Sequence, residues 1–121
     1  MDCLFCNIIS GEIPTERLFE NEHVIAFRDI NPQAPFHALV IPRKHIATLD
    51  DATEEDTLIL GQLNLAAAHI AREHGFSDQG YRTVINCREH GGQTVYHLHL
   101  HLLGGKAMGW PHFTDTLKEP I

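Results

Sequence analysis

Histidine and leucine alternate three times near the end of the chain, in the segment His97-Leu98-His99-Leu100-His101-Leu102. Alternation with a period of two predicts a β-strand with one polar and one apolar face. On such a strand the three histidines point to one side and the leucines face the core. Neighbouring histidines would lie about 7 Å apart and the outer two about 13 Å apart, so His99 has an imidazole on either side. Three histidines so arranged on an otherwise apolar strand indicate a functional site.

This histidine pattern fits two kinds of site. Two histidines separated by one residue on a strand can chelate zinc or a similar metal. Alternatively, a neutral imidazole can act as a nucleophile, flanked by groups that move protons and bind phosphate. One ion cannot reach all three rings, because a zinc–nitrogen bond is only about 2.1 Å long. The nucleophile hypothesis gives a role to all three histidines. It also fits Gly91-Gly92 just upstream, where backbone N–H groups can approach an anion.

Length and composition indicate a single water-soluble domain. The chain has 121 residues, of which 43% are hydrophobic and 21% charged, enough for a modest core. Its formal net charge of −7 argues against a nonspecific nucleic-acid surface but permits a small phosphate ligand. No apolar run approaches the ~20 residues that span a bilayer, and the start lacks signal-peptide features. Three cysteines without a secretory signal indicate reduced thiols in the cytoplasm.

Apolar periodicity and turn residues predict an α+β domain that spans residues 1–121. We expect a short helix over residues 4–9 and a long helix from Thr53 to about His74, with Gly75 just beyond its end. The buried stripe of the long helix is expected to contain Leu60, Leu63, Ala67 and Ile70. Five strands are expected, over residues 17–20, 23–29, 36–41, 81–86 and the histidine segment. They predict a mainly antiparallel sheet, followed by an irregular tail from about residue 106.

A pair of cysteines near the start has the spacing of zinc ligands. Cys3 and Cys6 are separated by two residues, which supplies half of a tetrahedral site. The remaining ligands would have to be histidines. The alternatives are two plain thiols in a packed helix, or a redox pair, and no strand precedes the cysteines to form the thioredoxin-like unit that a redox pair needs.

The histidine segment also resembles a known motif, the histidine triad H-φ-H-φ-H-φ-φ of the HIT superfamily of nucleotide hydrolases and transferases. Gly104-Gly105 and Trp110-Pro111 are similar to the Hint branch, the histidine-triad nucleotide-binding proteins. The Fhit-like branch continues instead with proline and arginine. Upstream, the same branch is matched by Asp29, by Pro32-Gln33-Ala34-Pro35 and by His37. The resemblance covers about residues 4–110 and implies the HIT-like fold and a homodimer.

The resemblance implies a hydrolase that cleaves the P–N bond of purine nucleoside 5′-phosphoramidates, and with it aminoacyl-adenylates. His99 would attack the α-phosphorus and form a nucleotidyl-histidine, which water releases as the nucleoside monophosphate. His101 and His37 would carry the proton to the leaving amine. The alternatives are a dinucleoside polyphosphate hydrolase or nucleotidyl transferase of the same superfamily, a nucleotide-binding regulatory protein, and a zinc enzyme built on His97 and His99. The physiological amine and the choice between adenine and guanine are not readable from the sequence.

The same resemblance assigns binding roles to individual residues. Asp29 would accept hydrogen bonds from the ribose hydroxyls, although capping of its own loop is the alternative. Phosphate donors would be Asn86, the Gly92 backbone N–H, the Thr94 hydroxyl and His101. The base would lie among the apolar side chains of Leu4, Phe5, Ile8, Phe27, Ile30 and Leu39. The tail with Trp110 would reach the active site of a partner subunit.

The resemblance leaves the metal open as well. Some relatives hold a structural zinc through residues that correspond to Cys3, Cys6, His45 and His97, whereas others fold without metal. Catalysis by His99 requires no cofactor in either case.

Overall fold

Five strands form one antiparallel sheet in the computed structural model, which describes residues 3–111. The strands are β1 (Phe19–Glu20), β2 (Val24–Arg28), β3 (Phe36–Pro42), β4 (Arg82–Ile85) and β5 (Leu100–Gly104). Their order across the sheet is β1-β2-β3-β5-β4, and every neighbouring pair is antiparallel. The helices are α1 (Leu4–Ser10), α2 (Thr57–Glu73) and α3 (Arg88–Gly91). The predicted α+β fold is confirmed, but α3 was not predicted.

Capping residues in the sequence fix where the long helix α2 begins and ends. Thr53 and Asp56 form a capping box around a 3₁₀ turn, Glu54–Asp56, so the regular helix starts later than predicted. At the other end, Gly75 adopts a φ of +79° just beyond the helix. The buried residues of α2 are Leu63, Ala66, Ala67, Ile70 and Ala71. Leu60 from the predicted stripe is only partly buried, although it packs against the same core.

The sheet separates two hydrophobic clusters, because alternate strand residues face opposite sides. Val24 and Ala26 of β2 belong to the larger cluster, which α2 covers. Ile25 and Phe27 belong to the smaller cluster on the other face, together with Phe5 of α1. Since α1 is short, this second face is incompletely covered and has room for a ligand.

The histidine segment is only partly a strand, which corrects the prediction. β5 begins at Leu100, so His101 lies on the strand whereas His97 and His99 precede it. The ladder with β3 stops at the Val40–Leu100 pair. Pro42 has no N–H with which to continue the ladder, and the Leu98 N–H donates instead to the Ile46 carbonyl at 2.7 Å. The leucines nevertheless face the core as predicted, with Leu98, Leu100 and Leu102 buried.

The end of the predicted tail, residues 112–121, lies outside the described residues. Residues 106–111, which the structure does describe, contain neither helix nor strand. Within residues 3–111 no helix is both long and apolar enough to cross a membrane.

Gly104 at the end of β5 leaves space for an aromatic ring of the core. A Cβ atom at this position would lie 2.5 Å from the Phe76 ring, which is itself buried. We therefore expect Gly104→Ala to lower the free energy of unfolding by about 1–3 kcal/mol, measured by urea denaturation. Gly61→Ala is the matched control, because nothing lies within 4 Å of its Cβ and it sits in α2. The free energy of unfolding of the control should rise by about 0.5–1 kcal/mol. An equal decrease of this free energy in both variants would contradict the steric argument.

Candidate active site

A cavity of about 740 Å³ opens on the face of the sheet that carries α1. The six residues predicted to hold a base all line it, namely Leu4, Phe5, Ile8, Phe27, Ile30 and Leu39. The polar residues predicted for the site that also line it are Asp29, His37, Gly92, Thr94, His99 and His101. The cavity is thus apolar at one end and rich in histidine at the other.

His99 has one ring nitrogen fixed by the backbone. Its Nδ1 lies 2.7 Å from the carbonyl oxygen of His97, and a carbonyl only accepts, so Nδ1 must carry the proton. In the neutral ring Nε2 is therefore unprotonated and has a lone pair. The Phe5 ring packs edge-on against the His99 ring, with the centroids 5.2 Å apart, and limits its rotation. This arrangement is that of a preoriented nucleophile.

His37 and His101 form a hydrogen-bonded pair whose polarity is also fixed by the backbone. The Gln33 N–H donates to His37 Nδ1 at 2.9 Å, so the proton of the neutral His37 ring lies on Nε2. His37 Nε2 in turn lies 2.9 Å from His101 Nδ1, and it donates to that atom. His101 consequently carries its own proton on Nε2, as a hydrogen-bond donor for a ligand. The role of the Gln33 N–H was not predicted.

The protein environment keeps this histidine pair neutral near pH 7. Burial, with the neighbouring His99 and His37, lowers the pKa of His101 to about 4. Burial also lowers the pKa of His37, although the Asp29 carboxylate 3.4 Å from its Nε2 acts in the opposite direction.

The lowered pKa of His101 predicts a loss of stability in mild acid. Between about pH 6.5 and pH 4 the unfolded chain binds a proton at this position that the folded protein excludes. The stability from the neutral ring is complete above this window and is lost as the pH falls through it. We expect His101 to account for about 1–2 kcal/mol of the decrease in unfolding free energy between pH 7.5 and pH 5, allowing for solvent screening. Urea denaturation of wild type and His101→Gln at both pH values measures it, and identical pH dependence in the two proteins would contradict it.

Asp29 caps its own loop as well as facing the cavity. Its Oδ1 accepts from the Asn31 N–H at 2.8 Å, and its Oδ2 lies near His37. The capping alternative is therefore confirmed as one role of this side chain. It does not exclude a ligand, since a carboxylate oxygen accepts more than one hydrogen bond.

Three of the predicted substrate contacts either do not line the cavity or have a backbone N–H that is already hydrogen-bonded. Asn86 and Trp110 are not among the described residues that line the cavity, and Trp110 is 82% exposed. Gly92 lines the cavity, but its N–H donates to the Glu89 carbonyl at 3.0 Å and caps α3. A phosphate-binding role for Gly92 stays a prediction and requires that N–H to be shared.

The first triad histidine, His97, belongs to a different cluster, formed with Cys3, Cys6 and His45. His97 Nδ1 lies 3.3 Å from Cys3 Sγ, 3.6 Å from Cys6 Sγ and 3.1 Å from His45 Nδ1. Cys6 Sγ lies 3.4 Å from His45 Nδ1. In a zinc tetrahedron with bonds of about 2.1–2.3 Å, ligand atoms are ~3.4–3.8 Å apart, so the spacing fits this metal with little movement.

The protonation of the cluster also suits a metal. His97 Nε2 donates to the Pro42 carbonyl at 2.8 Å, which leaves the Nδ1 lone pair facing the thiols. Burial lowers the pKa of His97 and keeps its ring neutral. Burial and the neighbouring Cys3 raise the pKa of Cys6, a cost that a bound cation would offset. A zinc enzyme built on His97 and His99 has no geometric support, because neither nitrogen of His97 faces the cavity.

A second group has the composition of a metal site but the wrong protonation. Ligand atoms of Asp29, His37 and His101 also lie within 4.8 Å of one another. However, the Gln33 N–H occupies His37 Nδ1, so His37 Nε2 carries a proton and cannot ligate. Instead, His37 and His101 form a hydrogen-bonded pair, and the Asp29 carboxylate lies 3.4 Å from His37 Nε2.

Comparison with known proteins agrees with this geometry. The family model "HIT domain" matches residues 10–108. The purine nucleoside phosphoramidase of Escherichia coli (strain K12) is 45% identical over 108 residues, 89% of this chain and 91% of that protein. A HIT family hydrolase from Legionella pneumophila Philadelphia 1 has a TM-score of 0.90 and 51% identity, covering 93% of this chain and all of the other. A zinc-bound histidine triad family protein from Mycobacterium smegmatis has a TM-score of 0.75 and 34% identity, covering 88% and 76% of the two chains. The chain therefore belongs to the HIT domain family, and within it to the hydrolases.

Proposed function

We propose that the protein hydrolyses the P–N bond of purine nucleoside 5′-phosphoramidates, aminoacyl-adenylates being further substrates. The observation that carries this proposal is the hydrogen bond from His99 Nδ1 to the His97 carbonyl, which leaves Nε2 as a nucleophile in the cavity. The 45% identical relative from Escherichia coli is a purine nucleoside phosphoramidase, which supports the same substrate class.

The reaction proceeds in two displacements at phosphorus. The His99 Nε2 lone pair attacks the α-phosphorus, and the P–N bond to the amine breaks. The leaving nitrogen takes a proton through His101 Nε2 from the His37–His101 pair, which has taken up one proton with the substrate and so returns to its neutral form. Asp29 favours the positive charge that the His37–His101 pair carries when it is protonated. Water then attacks the nucleotidyl-histidine and gives up a proton to the neutral His37–His101 pair. The bond from phosphorus to Nε2 breaks, and the nucleoside monophosphate leaves.

The charge of the cavity favours a substrate with one phosphate. Among the described residues that line it, Arg28 is the only lysine or arginine, and its guanidinium lies 4.7 Å above the Phe36 ring. Asp29 adds a negative charge. Dinucleoside polyphosphates carry several charges and need more cationic groups or a metal. This argues against a polyphosphate hydrolase.

Intact-protein mass spectrometry after rapid quench tests the proposal. Wild-type protein mixed with an adenosine phosphoramidate should carry a transient adduct of one adenylyl group and release the free amine. Turnover without an adduct at any quench time would contradict covalent catalysis by His99.

We further propose that Cys3, Cys6, His45 and His97 hold a structural zinc ion. Four protein ligands leave no open position, so the ion would cross-link α1 to the segment before β5 and supply no catalytic chemistry. The fit of the distances and the protonation of His97 support this proposal.

A homodimer is the assembly that we propose, and the surface of α2 supports it. Leu58 and Leu65 lie on its outer face, 58% and 64% exposed, and β4 is an edge strand able to pair with another chain. Sedimentation velocity should give twice the chain mass of 13.6 kDa. Neither a nucleic acid nor a membrane is proposed as a partner. The cytoplasmic location stays a prediction from the cysteines.

A further inference from the structure

Gln93 is a buried polar residue that lies between two residues of the cavity wall. Its neighbours Gly92 and Thr94 both line the cavity, whereas Gln93 itself is only 6% exposed and is not among the described lining residues. A buried amide side chain costs stability unless its hydrogen bonds are made. The partners of Gln93 therefore indicate what it does.

All the hydrogen bonds of the Gln93 side chain go to the backbone. Its Oε1 accepts from the Arg88 N–H at 2.8 Å, and its Nε2 donates to the carbonyls of Ala47 at 2.8 Å and Val95 at 3.0 Å. The backbone N–H of Gln93 also donates to the Arg88 carbonyl at 3.0 Å. Gln93 thus closes the loop of residues 88–94, here called the phosphate loop, and ties it to the segment after His45.

The phosphate loop holds a backbone conformation that needs such support. Arg88 has a φ of +60°, in the left-handed region that non-glycine residues avoid at a cost of about 1–2 kcal/mol. Its guanidinium pairs with Asp50 at 3.1 Å and lies 3.6 Å from Asp51. These ion pairs are exposed and contribute little, so the buried bonds of Gln93 are the stronger restraint. Strained backbone of this kind persists where the surrounding structure fixes it, often at functional sites.

We propose that Gln93 is a positioning residue that holds the phosphate loop so that Gly92 and Thr94 face the phosphate beside His99. It acts through the loop backbone and does not touch the substrate. This role rests on the proposed function, because it assumes that the loop binds a nucleotide phosphate. The proposed base and ribose contacts lie on α1, on β2 and the loop that follows it, and on β3, and no hydrogen bond joins any of them to the Gln93 side chain.

Calorimetric titration with AMP and with adenosine separates this role from a general packing role. Gln93→Met keeps the length of the side chain and removes its hydrogen bonds. We expect AMP affinity to fall by about tenfold or more, and adenosine affinity to stay within about twofold of wild type. Gln79→Met is the matched control, since Gln79 is exposed on the loop after α2, and it should change neither affinity.

Each other result counts against a specific statement. An unchanged AMP affinity in Gln93→Met would overturn the positioning role while leaving the proposed function intact. A parallel loss of AMP and adenosine binding, with a lower melting temperature, would overturn it in favour of a purely structural role. Wild-type protein that binds neither ligand would overturn the proposed function and, with it, this role for Gln93.

Discussion

Replacement of His99 by alanine should lower turnover of an adenosine phosphoramidate by at least about 1,000-fold, because the variant lacks the imidazole that forms the covalent bond to phosphorus. Binding of AMP should change by no more than a few fold, since the apolar residues, Asp29 and Thr94 remain in place. The adenylyl adduct should disappear from the mass spectrum of the variant. Steady-state kinetics and calorimetry on the same preparation measure the two effects separately.

The control for this prediction is a histidine on the other face of the sheet. His69 lies on α2 and contacts the Phe19 ring and Glu73. His69→Ala should retain wild-type turnover and adduct formation. If His99→Ala still turned over at the wild-type rate, the assignment of the nucleophile would be wrong, and a loss of AMP binding in that variant would show that His99 mainly supports the cavity.

The alternation of histidine and leucine predicted the core correctly and the strand only in part. Burial of Leu98, Leu100 and Leu102 follows from the period of two. The end of the ladder depends on Pro42, which lies on β3, 56 residues earlier than Leu98 in the chain. A local pattern cannot reveal which residue a strand will meet, so the early end of pairing was missed.

The candidate site was predictable where it depends on side-chain chemistry. A central histidine and six apolar residues were identified, and all of them line one cavity. The Gln33 N–H that orients His37 is a group that every residue type except proline supplies, and the His97 carbonyl that orients His99 is one that every residue type supplies. Their roles arise only from the three-dimensional course of the chain.

The proposed zinc site shows the same limit. The spacing of Cys3 and Cys6 indicated half a site, while the other half comes from His45 after β3 and His97 before β5. Sequence spacing alone also could not show that His97 turns away from His99. The fold brings the four side chains together, and the Pro42 carbonyl selects the ring nitrogen of His97 that faces the thiols.

Removal of one thiol should therefore abolish zinc binding and lower stability strongly. We expect purified wild-type protein to contain one zinc ion per chain and Cys6→Ser to contain none, measured by elemental analysis. An ion at a concentration 1,000-fold above its dissociation constant stabilises the fold by about 4 kcal/mol. For a chain of this size, losing this stabilisation corresponds to a melting temperature roughly 15 °C lower in Cys6→Ser than in wild type. A chelator should lower the melting temperature of the wild-type protein by a similar amount.

Cys87→Ser is the matched control, because Cys87 is the third free cysteine and does not belong to the cluster. It should retain the zinc content and melting temperature of wild type. Zinc-free wild-type protein whose melting temperature is insensitive to added zinc would show that the cluster is only a packed pair of thiols and histidines. Phosphoramidate turnover tests whether the zinc is only structural. If the ion only cross-links α1 to the segment before β5, kcat measured at 10 °C should be unchanged by the chelator. The reason is that His99, His101 and His37 make their hydrogen bonds without the ion.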